Sequence, residues 1–258
     1  MSDLVLLIPV GVMIGVLLGS VGGGGSLVAV PALVYLGDQS VRGAQAGGLV
    51  VVISASAIGF ASYLSRGDVR WRAGLAFGAA AAFSSLLGSL LSRQLDPNVL
   101  LLAFSPVMVV GGWAMVTERV AGVSSFTPWR YGVSVDSAIK VSLLGLAVGW
   151  LNGLFGVGGG FVIVPVLVLA LGFGVTEAVG TSLLVIIVGS LVALAERLQG
   201  GEIDWAVILP FAAAAVVGVA VGAGLGERAS SRTLARWFFV LVVMTAVYTA
   251  TKALTALA

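Results

Sequence analysis

The sequence predicts an all-α, polytopic integral membrane protein, and three observations predict this class. Of the 258 residues, 59% are apolar and only 9% are charged, whereas about a quarter of the residues in a soluble domain are charged. The few charged residues separate apolar stretches of sequence. Several of these stretches have the length of ~20 residues that a membrane-spanning helix needs. The sequence also repeats itself at an offset of 134 residues. This composition excludes a soluble globular domain, a disordered chain and a nucleic-acid binder.

The uncharged stretches give the elements in order: 4–37, 43–65, 73–92, 97–117, 141–176, 178–195, 206–226 and 237–251. Most have about the length of one span. Stretches 4–37 and 141–176 are too long for one span and short for two. Each of these two has a glycine cluster at its middle, with Gly22, Gly23, Gly24, Gly25 and Ser26 in the first and Gly156, Gly158, Gly159 and Gly160 in the second. Glycine-rich runs are poor helix formers, so each long stretch is expected to be a broken helix.

The internal repeat aligns residue types that rarely match by chance in an apolar chain. Pro31, Trp71 and Phe77 match Pro165, Trp205 and Phe211 without a gap. Each repeat is therefore predicted to contain a glycine-broken helical hairpin followed by three transmembrane helices. The expected organisation is a first repeat over 1–118, a cytoplasmic linker over 119–140 and a second repeat over 141–258.

The placement of the basic residues favours two inverted-topology repeats. If each broken element goes in and comes back, each half crosses the membrane an odd number of times and the second half is inverted; a single crossing would make the halves parallel. The inverted arrangement divides the basic residues nine to four, and the parallel one eight to five. Cytoplasmic loops carry the excess of Lys and Arg. In the inverted arrangement the richer side has Arg66, Arg70, Arg72, Arg119, Arg130, Lys140, Arg228, Arg232 and Arg236, and both termini lie on the other, non-cytoplasmic side.

The glycine clusters are the candidate substrate site. Irregular backbone inside a membrane is tolerated where it is buried in protein or lines a cavity, and broken helices in inverted-repeat transporters direct free amides at anionic substrates near the midplane. The alternative is close helix packing, which we expect for the spaced residues Gly11, Gly15, Gly145 and Gly149. The expected site residues in the clusters are Gly22, Gly23, Gly24, Gly25, Ser26, Gly156, Gly158, Gly159 and Gly160.

A few polar side chains within the predicted spans are further site candidates. Gln45 and Asn152 stand out because a buried amide is costly unless it is paired. Ser56 and Ser190 occupy equivalent positions of the repeat, and Thr181 and Ser182 complete the candidate set. A hydroxyl in a helix often simply bonds back to the helix backbone, which is the structural alternative for each of these serines and threonines.

The charged and nucleophilic residue types that the chain contains or lacks limit the classes of function that it can have. The chain has no Cys and no His, so thiol chemistry and Ser–His catalysis are excluded and an enzyme is not expected. Glu177 and Glu196 fall at the ends of a predicted span. Arg42, Arg93 and Arg197 also lie at span ends, where they could gather anions, but snorkelling to the membrane interface is the expected role. The absence of an intramembrane acid favours anion export driven by the membrane potential without obligatory proton coupling.

The two glycine runs, each followed by a hydrophobic-Pro pair (Val30-Pro31 and Val164-Pro165), resemble the TauE/SafE sulfite exporter family. The resemblance spans essentially the whole chain, and the second run is closer to the family pattern than the first. It implies an exporter of sulfite or of small organosulfonates such as sulfoacetate in the bacterial inner membrane. Other members of the family have other substrates, so the resemblance supports the transport class more strongly than one substrate.

Alternatives to this function remain. One is a structural membrane scaffold, although a scaffold would not explain the matching breaks in both halves; the others concern the substrate. The chain could carry another small anion such as a carboxylate, or it could be a metal or cation permease, although such a permease would require His, Cys, Met or carboxylate ligands. The sequence predicts no cofactor and no metal. The expected partners are a small anion and the lipid bilayer, no nucleic acid is expected, and a homodimer is compatible with the sequence.

Overall fold

The protein is described by a computed structural model that covers residues 2–21, 26–116, 135–156, 160–198, 203–225 and 231–257. The described residues form ten α-helices and no β-strand. In chain order the helices are α1 Ser2–Val21, α2 Ser26–Tyr35, α3 Val41–Arg66, α4 Trp71–Ser92, α5 Pro97–Val116, α6 Val135–Phe155, α7 Gly160–Leu171, α8 Val175–Arg197, α9 Trp205–Leu225 and α10 Ser231–Leu257.

The predicted fold class, an all-α membrane protein, is confirmed. Within the described ranges, four helices are long and apolar enough to cross a membrane: Val41–Arg66, Trp71–Ser92, Thr176–Arg197 and Trp205–Gly222. Large apolar side chains also cover the outer surface, where Phe83 is 64% exposed and Met244 is 67% exposed. Such a surface would be a large interaction patch in water, and in a membrane it faces lipid.

The helix order repeats as the sequence does. Four of the five helices in the second half begin 134 residues after their counterparts in the first half, and α6 begins 133 residues after α1. The predicted linker 119–140 lies mostly outside the described residues, and α6 already begins at Val135. The two equivalent short helices, α2 and α7, have 10 and 12 residues. At about 1.5 Å per residue neither can cross the hydrocarbon core alone.

The first broken element is a helical hairpin. A methyl group placed on Gly37, just after α2, would lie 3.4 Å from Cδ1 of Leu7, near the start of α1. The end of α2 therefore lies beside the start of α1, so the two helices run in opposite directions. This geometry is one full-length helix followed by a half-length helix, in place of two short full spans.

Helices from different halves pack against each other through glycines. Helix α6 lies beside α4, with Gly145 against Phe77 and Gly153 against Ser85. The residue numbers rise together along this contact, so α4 and α6 run parallel. Helices α1 and α9 form the equivalent parallel pair, with Gly11 against Phe211 and Gly15 against Ala215.

The equivalent helices α3 and α8 cross in opposite directions. Near the start of α3, the side-chain oxygen of Gln45 accepts a 2.6 Å hydrogen bond from Arg197, the last residue of α8. Near the end of α3, Gly59 lies against Leu183 of the first half of α8. We refer to the end of the molecule where α3 begins and α8 ends as the Gln45 end, and to the opposite end as the Thr181 end.

The helix directions divide the core into two bundles. Helices α1, α3 and α9 run one way and α4, α6 and α8 run the other way, so each bundle contains helices of both halves. The start of α1 and the last third of α10 lie towards the Gln45 end. Tyr248, near the end of α10, packs edge-on against Tyr35 at the end of α2, with 4.9 Å between ring centroids.

The glycine contacts predict a large cost for the smallest side chain. A Cβ at Gly15 would lie 1.9 Å from the carbonyl oxygen of Ala215, and a Cβ at Gly149 would lie 2.1 Å from that of Ala81. These neighbours are backbone atoms, so whole helices must shift. We expect Gly15→Ala and Gly149→Ala each to lower the melting temperature of the purified protein, at a cost of about 1–3 kcal/mol.

Gly174→Ala is the matched control, because nothing lies within 4 Å of a Cβ at Gly174 and its φ of −60° suits alanine. We expect its melting temperature to stay near that of the wild type. Equal melting temperatures for all three variants would contradict the close approach of the paired helices.

Candidate functional site

The structure describes part of the first glycine cluster and part of the second. Gly22, Gly23, Gly24 and Gly25 lie outside the described residues, as do Gly158 and Gly159. Ser26 is the first residue of α2, and Gly160 is buried at the start of α7. Gly156 is the described residue at which the second break begins.

Gly156 ends α6 in a left-handed backbone conformation. Its N–H donates a 2.8 Å hydrogen bond to the carbonyl oxygen of Asn152, and its φ is +68°. This is the usual geometry of a glycine that terminates a helix. A Cβ at this position would lie 2.7 Å from Cβ of Gln45. The second break therefore packs directly on α3, and only glycine allows this approach.

Gln45 is the centre of a buried polar cluster beside this break. The residue is 2% exposed, and its Oε1 accepts hydrogen bonds from Nη1 of Arg197 at 2.6 Å and from Oγ of Ser92 at 3.5 Å. Arg197 also donates through Nη2 to the carbonyl oxygen of Gly153 at 2.5 Å. The cluster thus joins α3, α4, α6 and α8.

Arg197 differs from the sequence expectation. Its position at the end of a span predicted a side chain that snorkels to the membrane interface, but the residue is only 9% exposed. It turns inward because α8 crosses α3 at this point, which places Gln45 and Gly153 within reach. The sequence alone offered one weak signal: Tyr63, an uncharged residue, occupies the equivalent position of the first repeat.

Further charges surround the cluster at the Gln45 end. Arg93 forms an ion pair through Nε with the carboxylate of Glu196 and donates from Nη2 to the Glu196 carbonyl oxygen at 2.6 Å. Arg42 donates to the carbonyl oxygen of Arg93 at 3.1 Å. Together with Arg197, this network contains three guanidinium groups and one carboxylate, so its charge is positive.

Asn152 lies one helical turn before Gly156 and is buried. Its side-chain oxygen has no hydrogen-bond partner among the described residues. An unpaired buried amide oxygen is costly, so Asn152 stays a candidate for contact with water or with a ligand in the break.

Thr181 and Ser182 lie at the opposite end of the molecule. Thr181 Oγ1 accepts a 3.1 Å hydrogen bond from the backbone N–H of Arg70, and Ser182 Oγ donates to the carbonyl oxygen of Val179 at 2.7 Å. Arg70 also forms a 2.6 Å ion pair with Glu177. Thr181 precedes Arg197 by 16 residues of α8, a separation of about 24 Å.

The expected site residues therefore form two groups at opposite ends of α8. Gln45, Asn152 and Gly156 come together at one end, and Thr181 and Ser182 lie at the other. The convergence of the two glycine clusters on one centre stays a prediction, because Gly22–Gly25 are outside the described residues.

Ser56 and Ser190 lie between these two groups, on α3 and α8 near the crossing. Both residues are fully buried, and neither hydroxyl has a hydrogen-bond partner among the described residues. They are equivalent in the repeat, and the antiparallel crossing places them on the two central helices. These two hydroxyl groups lie in the middle part of the interface between α3 and α8. No described hydrogen bond gives either of them a structural role.

Metal ligands do not cluster in the described part of the chain, where no group of three or more His, Cys, Asp or Glu residues comes together. The polar interior instead offers guanidinium, amide, hydroxyl and backbone groups. Guanidinium groups and amide N–H groups donate hydrogen bonds, and donors of this kind recognise anions. With its lipid-facing exterior, the fold defines a polytopic membrane protein with a polar cluster buried between its helices.

Comparison with known proteins agrees with this class. The family described as sulfite exporter TauE/SafE matches residues 7–249, and the chain belongs to that family. The resemblance seen in the glycine motifs is thus confirmed. No solved structure matches the chain.

Curated relatives cover nearly the whole chain. A probable membrane transporter protein of Xylella fastidiosa (strain 9a5c) is 29% identical over 250 residues, which are 96% of this chain and 95% of the relative. The probable membrane transporter protein YunE of Bacillus subtilis (strain 168) is 23% identical over 261 residues, 93% of this chain and 94% of the relative. The protein is a membrane transporter.

The unpaired hydroxyls generate a testable contrast in stability. Ser85 Oγ donates to the carbonyl oxygens of Ala82 at 2.9 Å and Gly189 at 3.3 Å, which links α4 to α8. We expect Ser85→Ala to lower the melting temperature, since a bond between helices in a membrane protein contributes about 0.6 kcal/mol. Ser56→Ala and Ser190→Ala should leave it unchanged or raise it, because an unpaired polar atom is removed. A loss at Ser56 or Ser190 equal to that at Ser85 would contradict the absence of partners there.

Proposed function

We propose that the protein exports small sulfur oxyanions, sulfite or organosulfonates such as sulfoacetate, from the cytoplasm across the bacterial inner membrane. The observation that carries this proposal is the second break, where Gly156 packs on the aliphatic part of the buried Gln45 side chain in an apolar span. The family match supports the sulfur oxyanion as the substrate. The protein has no catalytic role in this proposal.

The glycine breaks are the proposed binding sites for the anion. Helix α7 begins at Gly160, directly after the second break, and α2 begins at Ser26, directly after the first. The first amides of a helix have no partner within the helix, and its N-terminus carries partial positive charge. Each short helix thus provides donors for oxyanion oxygens where its glycine cluster ends. Gln45 and Asn152 add side-chain contacts at the second break.

The proposed orientation follows from the helix directions. Because α3 and α8 run antiparallel, the two halves are proposed to be inverted repeats across the bilayer. Trp71 and Trp205, which begin α4 and α9 and are about half exposed, then act as anchors at opposite interfaces. The Thr181 end, with Arg66, Arg70 and Arg72, faces the cytoplasm, and the Gln45 end with both termini faces outward.

The membrane potential is the proposed driving force. No Asp or Glu lies in the interior of the predicted spans, and the chain has no His, so the usual groups of a proton relay are lacking. An interior-negative potential favours outward movement of an anion by about 2.3 kcal/mol per charge per 100 mV. Export therefore needs no obligatory proton coupling.

The alternative is another small anion such as a carboxylate, which would use the same donors. A metal or cation permease is less well supported, because the described residues hold no cluster of three or more acidic ligands. The choice between sulfonate and carboxylate rests on the family description.

The glycine break generates the test of this function. We expect Gly156→Leu to reduce efflux of sulfite from proteoliposomes to the background of empty liposomes, because the side chain would displace α3 from the break. Gly174→Ala is the control and should keep the wild-type rate. Both variants are first compared by size-exclusion chromatography and protease resistance, so that misfolding is separated from lost transport.

Two outcomes of this experiment would contradict the proposal. Wild-type efflux in Gly156→Leu would contradict a binding role for the second break. Efflux by the wild-type protein that follows an imposed pH gradient but ignores an imposed potential would contradict the driving force. Sulfate, thiosulfate, sulfolactate and small carboxylates, tested in the same liposomes, decide the substrate class.

A further inference from the structure

Arg197 is a buried cation that forms no ion pair with another described residue. The described residues provide it with two neutral acceptors, Oε1 of Gln45 and the carbonyl oxygen of Gly153. Its Nε is buried and has no partner among them. The carboxylate of Glu196, the preceding residue in the chain, is paired with Arg93. An uncompensated charge inside a membrane protein is costly, and such residues face substrate pathways or find a counter-ion.

The position of this guanidinium group connects it to the second break. Gly153, which accepts one of its hydrogen bonds, lies three residues before Gly156 on the same chain segment. Gln45, which accepts the other, is in contact with Gly156. Both partners of Arg197 thus belong to the walls of the break. The third nitrogen atom, Nε, donates to no described group and is left for one that the described residues do not supply.

We infer that Arg197 is the counter-ion for the transported anion, and that Gln45 holds its guanidinium group until the anion arrives. This inference rests on the proposed function and extends it by naming the residue that selects for negative charge. Arginine has five N–H donors, and its planar fork matches two oxygens of a sulfonate or carboxylate. A charged oxygen is a stronger acceptor than the neutral amide oxygen of Gln45. The anion therefore replaces Gln45 as the acceptor for Arg197.

This exchange would also change the contact between the two helix bundles. The hydrogen bond between Gln45 and Arg197 joins α3 to α8, across the interface between the bundles. The bond between Arg197 and Gly153 joins α8 to α6 within one bundle. Binding of an anion thus releases a bond between the bundles while it keeps a bond inside one of them. Substrate binding becomes coupled to separation of α3 from α8.

The charged site is expected at one end of the molecule only. The position in the first repeat that corresponds to Arg197 is Tyr63. The position in the second repeat that corresponds to Gln45 is Val179. The Thr181 end has no equivalent buried guanidinium among the described residues. The repeat therefore provides two similar breaks, and one of them carries the charge that discriminates anions from neutral solutes.

The test uses the full-length purified protein and sulfite as the probe. We measure the KM of sulfite efflux from proteoliposomes and the rise in melting temperature that sulfite causes in detergent, with chloride at equal ionic strength as the reference. Arg197→Gln should raise the KM by at least about tenfold, since a charged hydrogen bond is removed. It should also remove the sulfite-dependent rise in melting temperature. Arg197→Lys should keep part of both effects.

Gln45→Glu provides a second variant that does not depend on Arg197 tolerating substitution. The carboxylate would supply Arg197 with an internal counter-ion in place of the amide. We expect a higher melting temperature without sulfite, no further rise with sulfite, and a KM raised by at least about tenfold. Arg72→Gln is the control, because it removes one exposed charge near the start of α4, away from the Gln45 end. It should match the wild type in both measurements.

The outcomes separate the inference from the proposed function. If the wild type exports sulfite and Arg197→Gln and Gln45→Glu both keep its KM and its thermal response, Arg197 is structural and the inference is overturned. If Arg197→Gln does not fold, an unchanged KM in Gln45→Glu alone overturns it. If the wild type neither exports nor responds to sulfite or any other anion tested, the proposed function fails, and the inference fails with it.

Discussion

The antiparallel crossing of α3 and α8 is the constraint on which the rest of the structure depends. These helices are equivalent in the repeat, and their contact places the start of each beside the end of the other, from Gln45 and Arg197 at one end to Gly59 and Leu183 nearer the other. Because the crossing reverses one half relative to the other, α1 pairs with α9 and α4 with α6 across the halves. The glycine stripes of those pairs permit the close approach that van der Waals packing requires inside a membrane.

The same crossing explains why a charged group can stay buried at the Gln45 end. Helix α8 ends against α3, so the guanidinium group of Arg197 meets an amide and a helix carbonyl oxygen instead of the membrane interface. Arg93 and Glu196 neutralise each other beside it. The cluster is held by four helices, which limits the rotamers of its members, and it borders a backbone segment that is already irregular at Gly156. Backbone irregularity and buried charge are each costly alone, and in this structure they occur together at the Gln45 end.

Much of this fold could be predicted from the sequence, because the signals are local or periodic. The repeat is visible in matched Trp, Pro and Phe residues, the spans in their apolar length, and the breaks in consecutive glycines. Gln45 and Asn152 could be selected because amides are rare in apolar spans. The burial of Arg197 could not, since it depends on a partner 152 residues away in the chain. The separation of Thr181 and Ser182 from Gln45 could not be predicted either. It depends on the crossing, which determines the end of α8 that lies beside the start of α3.

Opposite orientation of the two halves in the bilayer is the central claim, and labelling of equivalent positions from one side of the membrane tests it most directly. Ser40 and Gly174 precede α3 and α8, correspond at the 134-residue offset and are both exposed, and the chain has no cysteine of its own. In intact spheroplasts, a membrane-impermeant maleimide should react with the Ser40→Cys variant, and with the Gly174→Cys variant only after permeabilisation. Reaction of both variants from the same side of the membrane would contradict the inverted arrangement.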